Sequence, residues 1–272
     1  MHAPYVELFH ALHQYTGDLV NLDVLQPWLD QHGQERRWLT EFSKRSGSPI
    51  PAADQEELWR LYGLSRIAET LVLRFQPTGI DGGDWAGPDV TADEVVTFFE
   101  ALGLHAAKVN NYSAFHHEIV EAFSAPAREE PPQIVRSLWP CLMLGSMLVI
   151  RGGVAVLAGS DVLVPEVANS STLYWAHRRR HRPCEDLSHG WGSNSQWRTS
   201  FRRDYSMDGS LRLNVDGRED LSQGSRSADD RDGLTRDERI ELLVHRHFVR
   251  TKKPHADLWP YDDRLDLQDP GR

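Results

Sequence analysis

A chain of 272 residues with 40% apolar and 26% charged side chains can bury a core without disulfide staples, and its composition excludes a fibrous or wholly disordered protein. Its net charge of −10 works against nucleic acid and anionic membranes unless the basic residues are concentrated in one place. Cys141 and Cys184 are too few for a disulfide scaffold or a cysteine-based zinc cluster and fit a reducing cytoplasm.

The first twenty residues lack the basic start and unbroken apolar stretch of a secretory leader. Tyr5, Phe9, Leu12 and His13 recur at helical spacing, with Gly17 as a stop. Leu22 to His32 and Arg36 to Lys44 read as two short helices parted by Gly33. A longer helix after Pro51 places Leu58, Leu61, Ile67 and Leu71 on one face. The glycine- and proline-rich stretch from Gln76 to Pro88 is a loop, and Thr91-Ala-Asp-Glu94 is a capping box that opens a helix to about Leu102.

Tyr112, Phe115, Ile119, Val120 and Phe123 also fit helical spacing, with strand alternation over 117–123 as the competing pattern. Gln133 to Ile150 is expected as an apolar helix bent at Pro140. Because its apolar core from Leu138 to Ile150 is broken by Pro140 and Gly145 and ends at Arg151, it falls short of the roughly 20 residues of a membrane span. Val154–Leu157 and Val162–Val164 look like a hairpin, and Thr172–Trp175 like a strand. Gln196–Tyr205 and Ser210–Val215 flank Met207-Asp-Gly209, a strong turn signal. Residues 217–233 read as an exposed polar loop, and Thr235-Arg-Asp-Glu238 caps a helix to about His245. The fold class expected is therefore α+β. A mainly helical region over 1–130 precedes a mixed α/β region over 131–272, as two units or one continuous domain.

No lysine follows a glycine, so no Gly-Lys-Ser/Thr phosphate loop exists, and neither the Val-Ala-Ile-Lys of kinases nor His-Glu-x-x-His occurs. No cofactor motif is present. Of the 30 basic residues only four are lysine. Guanidinium suits bidentate anion binding, although a GC-rich coding sequence accounts for the bias as a whole. Position says more than number. Seven arginines and three acids between Trp175 and Tyr205 give a local +4 in a chain of −10, leaving −14 elsewhere.

Inside this island Trp191 offers a stacking face, Asn194 and Gln196 offer paired donors and acceptors, and Arg198, Arg202 and Arg203 offer charge. As a strand, 196–203 would turn Trp197 and Phe201 toward the core and leave Trp191 as the stacking residue. The leading expectation is a cytoplasmic protein that binds a polar or anionic small molecule, or an acidic protein surface, through residues 186–204. Single-stranded nucleic acid fits less well, and a membrane not at all.

His116, His117 and Glu118 are the alternative, a hydrolase-type cluster with arginines as electrostatic stabilisers, although adjacent helical residues point about 100° apart. His177 and His181 have ligand spacing with Cys184 nearby, but the surrounding arginines repel a cation, so no metal is expected. Ser193 and Ser195 lack the nucleophile-elbow pattern. A third reading is an interaction or immunity-like module that docks its acidic C-terminal tail, with Asp257, Asp262 and Asp263, on a basic surface.

Overall fold

The computed structural model describes residues 3–45, 47–79, 85–186, 196–223, 233–252 and 262–268. Helices dominate its N-terminal half: α1 (Ala3–Gln14), a π-helical turn (Asn21–Leu25), α2 (Gln26–Gln31), α3 (Gly33–Ser43), α4 (Gln55–Val72) and α5 (Ala92–Ala101). Asp54 opens α4 with a capping box: its carboxylate accepts the Glu57 N–H at 2.9 Å, and Glu57 accepts the Asp54 N–H at 3.0 Å. Every residue from Leu61 to Val72 is buried, because α1 covers one side of α4 and β5 (Met147–Ile150) the other. Gly63 permits the close approach of α1, since a Cβ there would stand 3.0 Å from the Tyr5 ring.

The remaining elements are β1 (His105–Ala106), β2 (His117–Ser124), β3 (Gln133–Trp139), β4 (Leu142–Leu144), β6 (Gly152–Ala158), α6 (Pro165–Ser170), β7 (Leu173–Tyr174), β8 (Cys184–Glu185), β9 (Asp204–Met207), β10 (Ser210–Leu213), β11 (Glu219–Asp220), α7 (Arg236–His245) and β12 (Asp263–Gln268). The described residues build a seven-stranded sheet in the order β1-β4-β5-β9-β10-β12-β11, a three-stranded sheet β2-β6-β3, and the pair β7-β8. The pairing of β1 with β4 and of β2 with β6 ties residues before 130 to residues after it. Among the described residues no helix is long and apolar enough to cross a membrane.

The α+β architecture, the capping boxes at Thr91 and Thr235 and the hairpin at Asp208-Gly209 agree with the sequence patterns. Both turn residues of the hairpin have positive φ, 54° and 74°, as a tight turn demands. Two expected helices are strands instead. The run 117–123 lies in β2, parallel to β6 with a bulge between Ile119 and Glu121, and 133–150 divides into β3, β4 and β5. β4 and β5 are buried on both faces, and a strand of that kind is a continuous apolar run without period-2 alternation. Gly145, at φ 58°, turns the chain between them, and a Cβ there would stand 2.7 Å from the Ser43 carbonyl oxygen.

Residues 162–164 do not pair as a hairpin arm but lead into α6, and 196–203 are not a strand. In the expected polar loop, Gly217 and Leu221 are buried and β11 runs parallel to β12. The C-terminal segment 262–268 is no free arm, since β12 lies between β10 and β11 and Asp263 is buried against Arg239 at 2.8 Å.

Candidate functional site

The basic island folds mostly inward. Arg179 grips Glu118 and Glu69, and Arg182 donates to the carbonyls of Ile119 and Ala168 at 2.7 Å each. Arg203 is held by Asp216, the Tyr205 hydroxyl and the Pro51 carbonyl. Arg198 remains exposed, its guanidinium 5.3 Å from the Trp59 ring centre. Gln196 is exposed too, and its backbone carbonyl accepts from Arg66 at 3.0 Å. Trp197 packs edge-on against Phe9 beneath Arg66. Trp191 and Asn194 lie outside the described residues.

Arg202 belongs to a cluster that no sequence spacing revealed. Asp204, fully buried at the start of β9, accepts Arg202 Nε at 2.8 Å, Arg246 Nη2 at 3.0 Å and the Asn214 N–H at 2.8 Å. Burial raises the Asp204 pKa, but the facing arginines outweigh it and hold the carboxyl at about 2. Arg202 also donates to the Leu243 carbonyl and lies over Trp175, 4.4 Å from the ring centre. Arg246 reaches the cluster because it ends α7 in the left-handed region, at φ 64°.

A third guanidinium, Arg151, sits at the junction of β5 and β6 with 3% of its surface exposed, and none of its three nitrogens has a hydrogen-bond partner among the described residues. Burial, then the charges of Arg246 and Arg202, lower its pKa to about 9, so it is a cation at neutral pH. Arg202 Nη1 and Arg246 Nε are buried without partners among the described residues as well. Three guanidinium groups therefore gather around one carboxylate.

Beside Arg151 stand Tyr112, His117 and His245. The Tyr112 and His117 rings stack with centres 6.0 Å apart, and the Tyr112 hydroxyl is 3.3 Å from His245 Nδ1. His117 Nδ1 accepts the Ser113 N–H at 3.1 Å, which leaves the ring proton on Nε2 as a donor. Burial lowers both histidines to about 4, helped by His116 and then Arg151 at His117 and by Arg151 at His245, and they are neutral at pH 7.

His117 and Glu118 point to opposite faces of β2. Glu118 is forked by Arg179 on one side, while His116 meets the Ser113 hydroxyl at 3.1 Å on the other. The structure thus brings His117 to Arg151 and takes Glu118 away from it.

Across Arg202 and Arg246 from Arg151 is a crevice bordered by Tyr62, His177, Asp186 and Thr199. Asp186 accepts the Tyr62 hydroxyl at 2.8 Å and stands 3.3 Å from His177 Nδ1. The crevice volume of about 20 Å³ suits one water molecule, and the buried Thr199 hydroxyl has no partner among the described residues. Among the described residues no group of His, Cys, Asp and Glu could hold a metal ion.

Arg151 left one trace in the sequence, a charge between the apolar runs Met147–Ile150 and Val154–Leu157. Its place between two buried strands accounts for its burial. Arg246 left none, because its place depends on how α7 ends. No protein-family model matches the chain, and comparisons with curated proteins and with solved structures return no significant match.

Proposed function

We propose that this protein binds a small anionic molecule through an oxyanion group received by Arg151, with Arg202 and Arg246 supplying the surrounding positive field. The observation that carries this reading is the buried Arg151 guanidinium, which has no hydrogen-bond partner among the described residues. An uncompensated buried charge is among the most costly features a fold can retain, and an anion removes that cost. Arg151, at the β5–β6 junction, has Tyr112 from the chain before β2 and Arg246 from the end of α7 as electrostatic neighbours. Neighbours on several sides suit a tetrahedral anion such as a phosphoryl group better than a planar carboxylate, which a single guanidinium fork satisfies. A reducing cytoplasmic setting fits the two free cysteines.

Thermal unfolding with phosphate, sulfate, malonate or chloride at constant ionic strength tests the proposal, because a ligand that binds only the folded state raises its stability. Phosphate and sulfate raise the midpoint of the native protein and leave Arg151→Met unmoved. Equal shifts in both proteins, or none in either, overturn the reading.

A second, hydrolytic reading draws on His177, which Asp186 orients beside the crevice. It requires turnover of a phosphate or carboxylate ester that is lost in His177→Gln while the phosphate-induced stabilisation is kept.

A further inference from the structure

A groove of about 880 Å³ runs along α7 on the outer surface, within the size range of ligand-binding clefts, about 300–1,000 Å³. Its floor is aliphatic: Val162 and Val164 from the chain before α6, and Ile240 and Val244 from α7, all partly exposed. Its rim is acidic. Asp161, Asp237, Glu238 and Glu241 border it, with Arg250 as the one arginine among the described lining residues and Arg128 paired to Asp161 from outside.

Some of these acids have local work as well. Glu238 closes the cap of α7, Glu241 accepts the N–H groups of residues 249–251, and Asp161 forms an exposed pair with Arg128. Their negative charge nevertheless stays at the rim. Asp237 is exposed in the first turn of the helix.

From these residues we infer that the groove is a docking site for a short basic segment of a partner protein, one that carries lysine or arginine on either side of aliphatic anchors. Charge complementarity selects the occupant: four rim acids attract a cationic chain and repel the anion assigned to Arg151, so the two sites have opposite preferences. Shape adds to this. The groove follows α7 from Asp237 to His245, about 12 Å at 1.5 Å per residue, with aliphatic side chains one turn apart, which fits an elongated chain with repeated anchors.

The test uses the full chain and three amidated hexapeptide probes: alternating Lys and Leu, alternating Glu and Leu, and alternating Lys and Ser. Fluorescence anisotropy is expected to show saturable binding of the Lys–Leu probe, with the other two at least about tenfold weaker. Asp237→Lys and Val244→Ser each weaken the Lys–Leu probe by about tenfold, while Glu41→Lys, at an exposed acid on α3, leaves it unchanged. Phosphate-induced stabilisation persists in Asp237→Lys, which separates this groove from the Arg151 site. The proposal is overturned if binding does not saturate, if the Glu–Leu probe binds equally, or if Glu41→Lys weakens binding as much as Asp237→Lys, since the attraction would then belong to the acidic surface in general.

Discussion

Arg179 and Glu118 form a buried fork, with Arg179 Nε 2.9 Å from one carboxylate oxygen and Nη2 2.7 Å from the other. The pair ties the chain after β7 to the start of β2, and Arg179 Nη1 extends it to Glu69 of α4 at 3.1 Å. One arginine thus joins the helical half to the three-stranded sheet. Removing one member of a buried ion pair strands the other, which costs about 3–5 kcal/mol. Arg179→Met is expected to lose stability in that range in urea denaturation. Arg179→Lys recovers only part of it, because an ammonium cannot reproduce the fork.

The opposite outcome is expected at Arg151. With no carboxylate of the described residues bonded to it and Arg202 and Arg246 repelling it, its replacement by methionine relieves a buried charge and keeps much of the volume. Arg151→Met should therefore match or exceed the native stability in anion-free buffer, by up to about 1–3 kcal/mol, while losing the response to phosphate. A variant that is more stable and unresponsive is what a binding residue gives. Loss of several kcal/mol in anion-free buffer would instead mark Arg151 as structural.

How far the sequence foretold this arrangement depends on how local each signal was. Capping boxes at Thr91 and Thr235 and the Asp208-Gly209 turn are chemistry within four residues, and they form as read. The stretch 133–150 misled because Leu142–Leu144 and Met147–Ile150 are buried on both faces, where a strand and a buried helix share one apolar pattern. The arginine island was visible as composition, but the direction of its side chains was not. Arg179, Arg202 and Arg203 found acids at Glu118, Asp204 and Asp216, and only the pairings within a few residues could have been guessed. Asp204 meets Arg246 across 42 positions, and only tertiary folding creates that contact.

Thr199 offers a separate check on the crevice. Its buried hydroxyl has no partner among the described residues, so Thr199→Val removes a polar group without breaking a bond to them and should change stability by less than about 1 kcal/mol. Thermal unfolding measures it directly. A loss well beyond that would show the hydroxyl to be bonded within the crevice.

Acid should unfold the protein in two stages, and the sign follows from which state binds more protons. His117 and His245 titrate at about 4 when folded and near the ordinary 6.5 when unfolded, so between those values the unfolded chain takes up more protons. Stability is then fully present above pH 6.5 and falls as pH drops toward 4. Glu118 and Asp204 are held at about 2 by their arginines, below the ordinary 4.5 and 3.8, and they add a second decline as pH falls from about 4.5 toward 2. Urea denaturation at a series of pH values resolves the stages. His245→Gln removes one titrating group and should flatten the upper stage while leaving the lower one in place, whereas an unchanged slope between pH 4 and 6.5 would mean that His245 takes up its proton alike in the folded and unfolded chain, so that burial does not lower its pKa.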